Sequence, residues 1–342
     1  MLRRRRQFDD PVARGDLLGA FAAKREATED RFHAFEDTLD SGTHILVPYT
    51  TRFNSERRVG ETRNRYRTAW ERAAEQHTDG VVLTLTTDPS KYDHLFDAAA
   101  TLLKDVDRLR AWLAYDPATG PARPGYRLPA IVVPEFTADG KPHVHIAFFG
   151  VSWLTPQVAI SNYWDRNCNR GRIVWLDRIV NRGGRWRWAT KTSNRKHPDT
   201  AGRSPRSYLE DGVNLLAESA AAPAAELHEA AAALRDESRA ETAEDPDPAA
   251  RERGERLWKA ALYWATGFRV FTLSPSLRAS QDDSEESERR ALAPDGTPLP
   301  ANALPRYRYI GTARYDEFPA SVRDGATVYL DGSPTQSTHP PP

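Results

Sequence analysis

The chain has 342 residues, of which 39% are hydrophobic and 10% aromatic, a composition that suits a folded protein and argues against a disordered one. Its 48 basic and 48 acidic residues cancel, no apolar run is long enough to cross a membrane, and no apolar stretch follows the basic start as a secretory signal requires. The single cysteine, Cys168, excludes an internal disulfide and a multi-cysteine zinc site. We therefore expect a cytoplasmic protein without a membrane partner.

The first two segments of the chain predict charged helices. Residues 1–40 form a charged N-terminal region in which apolar side chains recur at helical spacing from Asp16 to Asp40, and this spacing predicts a solvent-facing helix. The Arg-rich stretch within Ser41–Trp70 predicts a second helix, with Tyr66 and Trp70 four residues apart on one face.

The next segments alternate between strands and helices. Val81–Thr87 is β-branched and bounded by Asp-Gly and Asp-Pro, which predicts a buried strand, and Ser90–Tyr115 has the apolar stripe of a long amphipathic helix. Arg127–Phe136 predicts a strand that turns through TADGK into a second strand. Gln157–Arg166 then predicts a helix, and Gly171–Val180 predicts a further strand. This order predicts an α+β fold with antiparallel strands and helices packed on one face.

Composition divides the rest of the chain. A main domain is predicted for residues 41–217, ending in a short helix with the sequence SYLEDGVNLL. Residues 218–256 are rich in Ala, Glu and Asp, and predict an acidic insertion that is either helical or disordered. Residues 257–330 predict an ordered C-terminal α/β extension that packs on the core, with a helix, a Thr-Gly break and a strand. Residues 331–342 predict a Pro-rich tail that frays.

Two histidines, His143 and His145, lie on the second strand of the predicted hairpin. Residues at i and i+2 of a strand point to the same face, so both imidazoles project together. A His-x-His pattern is common on strands by chance, and a third ligand is needed to distinguish a metal site from an ordinary strand. The carboxylate just upstream, Glu135, supplies that ligand if the hairpin brings it to the same face.

The length of the hairpin loop decides where Glu135 points. A two-residue turn of Asp139 and Gly140 pairs Phe136 with His143 and directs Glu135 away. A three-residue loop that ends at Gly140, with this glycine in the left-handed conformation, pairs Glu135 with His143. Glycine at the last loop position favours the second geometry. Two imidazoles and a carboxylate suit Mn²⁺ and Mg²⁺, and could also hold Zn²⁺ or Fe²⁺.

A basic segment follows the predicted hairpin. Between Arg166 and Arg206 there are twelve Lys or Arg residues, against only Asp177 and Asp199. A solvated loop is the simplest interpretation of such a segment. Cations neutralise phosphates and aromatic faces stack on bases, so the functional interpretation is binding of single-stranded or hairpin DNA. The residues expected to contact DNA are Arg182, Arg185, Trp186, Arg187, Trp188, Lys191, Arg195, Lys196, Arg203 and Arg206.

One tyrosine, Tyr208, lies in the short helix just after the basic segment. Most tyrosines in such a place are core or surface residues. A phenol close to bound DNA could also act as a nucleophile towards a phosphodiester. The residues by themselves leave both roles open.

Taken in order, three stretches resemble a known family. VVLTLTTDP, PEFTADGKPHVHIAFFG and SYLED are similar to motifs one to three of the HUH-superfamily rolling-circle replication initiators (Rep proteins), most like those of haloarchaeal plasmids and pleomorphic viruses. The segments NYWDR at 162–166 and LYWATGFRVFTLSPSLR at 262–278 extend the likeness. It covers most of the chain outside the acidic insertion and the tail.

The resemblance implies a fold and a mechanism. The fold is an HUH-endonuclease-like antiparallel sheet of about five strands flanked by helices, with His143 and His145 on a central strand. These histidines, with Glu135 as third ligand, would hold Mg²⁺ or Mn²⁺ to polarise the scissile phosphate. Tyr208 would attack the phosphorus, leaving a 5′-phosphotyrosine and a 3′-OH that primes synthesis. The implied partners are single-stranded or hairpin origin DNA and the host helicase and polymerase.

The third motif departs from the pattern of these relatives. They carry Tyr-x-x-Lys, often with a second tyrosine after the lysine, whereas this chain has Asp211 at the lysine position and Gly212 after it. On one helix Tyr208 and Asp211 would share a face, and the aspartate would raise the pKa of the phenol by charge repulsion. Arg203 or Arg206 could replace the lysine. The alternatives are a catalytically degenerate Rep-like DNA-binding protein, a related transposase or relaxase, or a metal hydrolase that does not act on DNA.

Overall fold

The computed structural model of the protein describes residues 10–40, 42–114, 128–137, 139–189, 203–236, 248–278, 307–324, 326–330 and 333–335. The helices are α1 (Pro11–Glu29), α2 (Glu56–Gln76), α3 (Leu95–Leu113), α4 (Gln157–Arg166), α5 (Pro205–Tyr208), α6 (Asp211–Ala221), α7 (Ala224–Asp236), α8 (Pro248–Thr266) and α9 (Ala320–Arg323). The strands are β1 (Arg31–Asp37), β2 (His44–Pro48), β3 (Asp79–Thr86), β4 (Ala130–Phe136), β5 (Pro142–Phe149), β6 (Val174–Arg182), β7 (Arg185–Trp188), β8 (Thr272–Leu273), β9 (Tyr307–Arg314), β10 (Thr327–Leu330) and β11 (Ser333–Thr335).

The larger of two sheets has six antiparallel strands in the order β7-β6-β3-β5-β4-β8. The predicted α+β class is confirmed, and the strand with the two histidines lies near the centre of this sheet. Val144 and Ile146 on one face of β5, and Ala147 and Phe149 on the other, are all completely buried. Both faces of the sheet are therefore covered, and the prediction that helices pack on one face only was wrong.

Helix α2 covers the face of the sheet that carries the histidines. The helix begins after Ser55, whose side chain accepts a hydrogen bond from the backbone N–H of Arg58 and so satisfies one of the free amides of the first turn. Tyr66 and Trp70 are both buried, as their spacing predicts. The Trp70 ring lies 5.3 Å from that of Phe149, which projects from β5 on the same side as His143 and His145.

A buried ion pair joins α3 to the segment after α4. Arg170 is completely buried, and its Nε donates to Oδ2 of Asp105 at 2.8 Å while its Nη2 donates to Oγ1 of Thr101 at 2.6 Å. Its backbone carbonyl accepts a hydrogen bond from the N–H of Asp88, just after β3, at 2.9 Å. These bonds fix α3 and the end of β3 to the same arginine.

The N-terminal region is helical only in part, contrary to the prediction. Helix α1 ends at Glu29 and β1 begins at Arg31. In β1 the buried residues alternate with partly exposed ones, since Phe32 and Ala34 are buried and His33 and Phe35 are only half-buried. Burial of every second residue is the pattern of a strand with one face on a core. From Arg31 onward this strand pattern replaces the helical spacing that predicted a helix as far as Asp40.

Strand β1 belongs to a second sheet, with the order β11-β10-β2-β1-β9. It pairs antiparallel with β2 and with β9, and β10 pairs parallel with β2. A small core of Phe32, Ala34, Leu46, Val322 and Val328 lies on one side of this sheet. Part of the predicted C-terminal extension therefore forms a sheet with the N-terminal strands, and the Pro-rich tail lies outside the described residues except for β11.

The predicted acidic insertion is part of the core where it is described. Its boundary at residue 218 falls inside α6, and its boundary at 256 falls inside α8. Leu227, Ala231 and Leu234 of α7 recur at helical spacing and are at most 3% exposed. The helical alternative is thus found in α7, and an apolar stripe packs this helix against α1 and α8.

The reactivity of Cys168, the only cysteine of the chain, can test how tightly the core around α3 is packed. Burial and, to a smaller extent, the nearby charge of Asp105 together raise the pKa of the Cys168 thiol from 9.0 to about 11. At pH 8 this leaves about 100-fold less thiolate than a pKa of 9.0 would, and the thiolate is the reactive form. We expect an aromatic disulfide reagent to react with the native protein at least 100-fold more slowly than with the protein in 8 M urea. Equal rates in the two solutions would contradict the burial of Cys168.

Candidate metal and tyrosine site

The β4–β5 hairpin has the loop geometry that places Glu135 beside the histidines. The register pairs Glu135 with His143, and the backbone N–H of Thr137 donates to the carbonyl of Lys141 at 3.0 Å to close the loop. Gly140 has a φ of 78°, in the left-handed region that favours glycine. The predicted three-residue loop is confirmed, and the two-residue alternative is excluded.

Three ligand atoms converge on one point of the sheet. Nε2 of His143 and Nε2 of His145 lie 2.9 Å apart, and each lies 3.3 Å from Oε2 of Glu135. His145 is 2% exposed, and the side chains of His143 and Glu135 are each 14% exposed. The triad is thus held at the edge of the core, where His143 and Glu135 keep a small exposed surface.

The size of this triangle fits a metal ion. Ligands about 2.1 Å from a cation lie about 3.0 Å apart in octahedral geometry and about 3.4 Å apart in tetrahedral geometry, and the observed edges of 2.9 and 3.3 Å lie within about 0.1 Å of these values. Two buried atoms of the triad, Oε1 of Glu135 and Nδ1 of His143, have no hydrogen-bond partner among the described residues. A carboxylate oxygen left over in this way can accept a water of the cation or bind the cation itself. The donor set therefore suits a divalent cation.

The charges of the triad also favour a cation. Burial raises the pKa of the Glu135 carboxyl, but the charge of His145 and hydrogen bonds from both imidazoles outweigh it and hold this pKa well below its usual range. Burial lowers the pKa of His143, while its hydrogen bond to Glu135 opposes the shift. At neutral pH the site thus presents a carboxylate and, at His143, a neutral imidazole, which are the protonation states that bind metal.

A threonine of the neighbouring strand orients one of the histidines. Thr84 on β3 lies opposite His145, and its Oγ1 is 2.8 Å from Nδ1 of the imidazole. This contact leaves Nε2 of His145 directed at the triad, and such outer contacts fix the ring of a metal-binding histidine. This role of Thr84 was not predicted, although the residue lies in the VVLTLTT stretch that predicts a strand.

Tyr208 lies next to the triad. Its ring centroid is 5.1 Å from that of His145, in an edge-to-face contact, and 5.8 Å from that of Trp188. The residue is 9% exposed. The structure therefore brings together the four residues predicted as metal ligands and nucleophile, with the tyrosine largely covered.

Tyr208 and Asp211 do not share one helix, contrary to the prediction. Helix α5 ends at Tyr208, Leu209 and Glu210 lie between the helices with ψ near 0°, and α6 begins at Asp211. Asp211 forms an ion pair with Arg203, whose Nη1 donates to its Oδ2 at 3.2 Å. The predicted repulsion between aspartate and phenol is therefore offset by a guanidinium that lies 5.9 Å over the Tyr208 ring.

Two residues of α8 approach the site and were missed by sequence analysis. Lys259 is close enough to His143 for its charge to lower the pKa of the imidazole. Tyr263 is buried, and its hydroxyl donates to the carbonyl of Pro134, next to Glu135, at 2.7 Å. Lys259 is half-buried between the fully buried Trp258 and Ala260, and this burial, which calls for a partner, is known only from the structure.

The basic segment is described in part. Arg182, Arg185 and Arg187 are exposed on the β6–β7 hairpin. Arg185, Arg187 and Arg206 line a groove with Trp70 and Trp186 below them. Lys191, Arg195 and Lys196 lie outside the described residues.

The role predicted for Trp186 was wrong. This residue is 6% exposed, its indole N–H faces the carbonyl of Trp70, and its ring packs 5.0 Å from that of Phe149. A ring so enclosed has no open face for a base. The RWRW sequence of β7 is the alternation of a strand with arginines outward and tryptophans inward.

Comparisons with known proteins give a family model that matches part of the chain and a relative from a virus. Residues 57–122 match a family model described as the domain of unknown function (DUF8148) C-terminal domain. The chain is 30% identical over 275 residues to "Uncharacterized protein 1" of Halorubrum pleomorphic virus 1, an alignment that covers 78% of this chain and 49% of the relative. The chain thus spans about half the length of that protein. No solved structure matches the chain.

These similarities agree with one part of the resemblance drawn from the motifs. The relative is a protein of a haloarchaeal virus, and neither its name nor the description of the family model names an activity. Among the helices of the described residues, none is both long and apolar enough to cross a membrane.

Proposed function

We propose that the protein is a metal-dependent enzyme that nicks one DNA strand at an origin and so initiates rolling-circle replication. The observation that carries this proposal is the position of Tyr208, whose ring lies 5.1 Å from His145 in a triad of metal-binding geometry. A phenol beside a bound cation is the arrangement needed for covalent attack on a phosphodiester. The order of the three motifs along the chain supports the same function.

The chemistry of the step follows from the side chains present. A divalent cation held by Glu135, His143 and His145 would stabilise negative charge on the phosphate oxygens as a Lewis acid. The Tyr208 oxygen forms a bond to phosphorus and its proton passes to solvent. The bond from phosphorus to the 3′-oxygen breaks, and that oxygen takes up a proton to become a free 3′-OH. The DNA then carries a 5′-phosphotyrosine link to the protein.

Cations around the triad take the place of the missing lysine in this proposal. The ordinary pKa of a tyrosine is about 10, so the site must favour the phenolate. Arg203 lies close enough to Tyr208 and Glu135 for their charges, together with its hydrogen bonds to Asp211, to raise its own pKa. Lys259 on α8 lies close enough to His143 for its charge to lower the pKa of that imidazole. The exposed arginines of the β6–β7 hairpin would hold the flanking phosphates of single-stranded or hairpin DNA.

A covalent adduct tests the proposal. The probes are single-stranded oligonucleotides labelled at the 3′ end, tiled across the non-coding DNA of the replicon that encodes the protein, and incubated with Mn²⁺. We expect a labelled band of the protein's size on a denaturing gel with the wild type and none with Tyr208→Phe. Tyr163→Phe is the matched control, because Tyr163 lies on α4, stacked on Trp112, away from the triad. EDTA should remove the band.

The second candidate is a protein that binds the origin without cutting it. Asp211 in place of the lysine, and the 9% exposure of Tyr208, favour this alternative. Oligonucleotides shifted on a native gel, with no covalent band from the wild type, would establish it and contradict the nickase. An adduct that survives Tyr208→Phe would point instead to a related transposase or relaxase with another nucleophile. If the protein does not bind DNA at all, the remaining alternative is a metal hydrolase that acts on a different substrate.

A further inference from the structure

One face of the second sheet carries four rings that are half-buried or exposed among the described residues. One side of the sheet packs Phe32, Ala34 and Leu46 into its small core. The other side carries His33 and Phe35 of β1, Tyr49 just after β2, and Tyr309 of β9, which we call the aromatic face. Tyr309 is 56% exposed, and its neighbour Ile310 is 39% exposed.

The four rings form a continuous surface. His33 lies 4.9 Å from Tyr49 and 5.9 Å from Tyr309, and Phe35 lies 5.7 Å from Tyr309, all measured between ring centroids. The hydroxyl of Tyr309 contacts Oγ1 of Thr312 at 2.8 Å, so the ring lies along its own strand. The Tyr309 side chain is thus fixed at its backbone and at its hydroxyl while remaining 56% exposed. It loses little further conformational entropy when a ligand stacks on the ring.

Two arginines lie directly opposite each other at one end of this face. Arg31 and Arg314 are partners in the β1–β9 register, and strand alternation places Arg31 on the same side as His33 and Phe35. Like charges in directly opposed positions destabilise a sheet unless an anion lies between them. Arg314 is exposed, and its backbone N–H donates to the Glu317 carboxylate at 2.9 Å. The two opposed guanidinium groups point to a negatively charged ligand at the end of the aromatic face.

We propose that the aromatic face binds single-stranded DNA, with bases stacked on Tyr309 and Phe35 and a phosphate between Arg31 and Arg314. A sheet with exposed rings and flanking cations is a general platform for unpaired bases, because every base has a face to stack and every nucleotide carries a charge. A protein partner could pack on the rings, but it would not explain the two opposed arginines. This site is separate from the metal triad, and it does not depend on the function proposed for that triad.

The test measures DNA binding in EDTA, which removes any divalent cation from the triad. The probe is a fluorescein-labelled 12-nucleotide oligo(dT), followed by fluorescence anisotropy with the full chain. Because a base stacked on an aromatic ring contributes about 1–3 kcal/mol, we expect Tyr309→Ala to raise the Kd about tenfold. Arg314→Ala should reduce the slope of log K against log salt by about 0.7, the value for one phosphate of a single strand.

Controls separate this face from the basic hairpin. Trp153→Ala removes a ring that is 61% exposed outside the second sheet, and it should leave the Kd unchanged. The measurements are repeated in a background with Arg185→Ala and Arg187→Ala, where the remaining binding reports on the aromatic face. Oligonucleotides with 5-iodouracil should crosslink under ultraviolet light to peptides that contain β1 or β9. Circular dichroism checks that each variant is folded.

Three outcomes would overturn the proposal. The first is an affinity that changes less than twofold with Tyr309→Ala. The second is crosslinking confined to peptides outside the second sheet. The third is a wild-type dimer that becomes a monomer with Tyr309→Arg in sedimentation experiments, which would make the aromatic face an interface between two copies of the chain.

Discussion

Replacing His145 with alanine is expected to abolish the thermal stabilisation of the protein by Mn²⁺. A ligand that binds only the folded state at 100 times its Kd stabilises it by about 2.7 kcal/mol. For a chain of this size we expect the wild-type Tm to rise by about 5 °C. His145→Ala removes one of three ligands and the contact to Thr84 at 2.8 Å, and Glu135→Gln removes the negative charge while keeping the shape of the side chain. Both should reduce the shift to below 1 °C, measured by scanning calorimetry with and without Mn²⁺.

A histidine outside the site provides the matched control. His228 on α7 is partly exposed and lies 3.3 Å from Glu26, so His228→Ala should keep the full shift. EDTA should return the wild type to its starting Tm. A wild type that does not respond to Mn²⁺, Mg²⁺ or Zn²⁺, or a response that His145→Ala and Glu135→Gln retain, would refute a metal site at the triad.

Substituting Arg170 by methionine is expected to lower the free energy of unfolding by about 3–5 kcal/mol. The guanidinium is completely buried, and it binds Asp105, Thr101 and the carbonyl of Ala98. Methionine fills similar space but removes the buried partner of the Asp105 carboxylate, which keeps the exposed Arg108 at 3.3 Å, and losing a buried partner is far more costly than losing an exposed one. Urea denaturation followed by circular dichroism measures the difference.

The double variant Arg170→Met, Asp105→Leu shows whether the lost charge is the cause. It should recover most of the stability, because an apolar pair of similar volume can replace a buried ion pair. Arg57→Ala, which breaks an exposed pair with Glu61 on α2, should change the stability by less than about 1 kcal/mol. A double variant as unstable as the single one would show that packing, and not the charge of Asp105, dominates.

The triad of Glu135, His143 and His145 was predictable because every relation in it is local. His143 and His145 share a face by strand alternation, and Gly140 at the end of the loop determines the pairing with Glu135. Position 140 has to be glycine in this structure, because a Cβ there would lie 2.7 Å from the ring of Trp258 and because its φ is positive. The strand, loop and ligand assignments all depend on about a dozen consecutive residues.

The parts that failed depend on distant contacts. Nothing in the sequence of β1 specifies β9 as its neighbour, since the two strands are separated by almost the whole chain. The surface prediction for Trp186 failed for the same reason, because the residues that enclose it, Trp70 and Phe149, come from other segments. Lys259 reaches His143 only through the packing of α8. The second sheet, the tryptophan core and the cations at the triad therefore required the structure.

The pairing of β1 with β9 also sets an order of events during synthesis. When the ribosome has translated as far as residue 278, every strand of the six-stranded sheet and every residue of the metal triad exists, while β9 does not. Strands β1 and β2 must then wait, with their edges open, for the last part of the chain, and pairing across such a separation is slow. The aromatic face is thus assembled only after β9 has been synthesised, and a chain released before that point could carry the triad of Glu135, His143 and His145 without it.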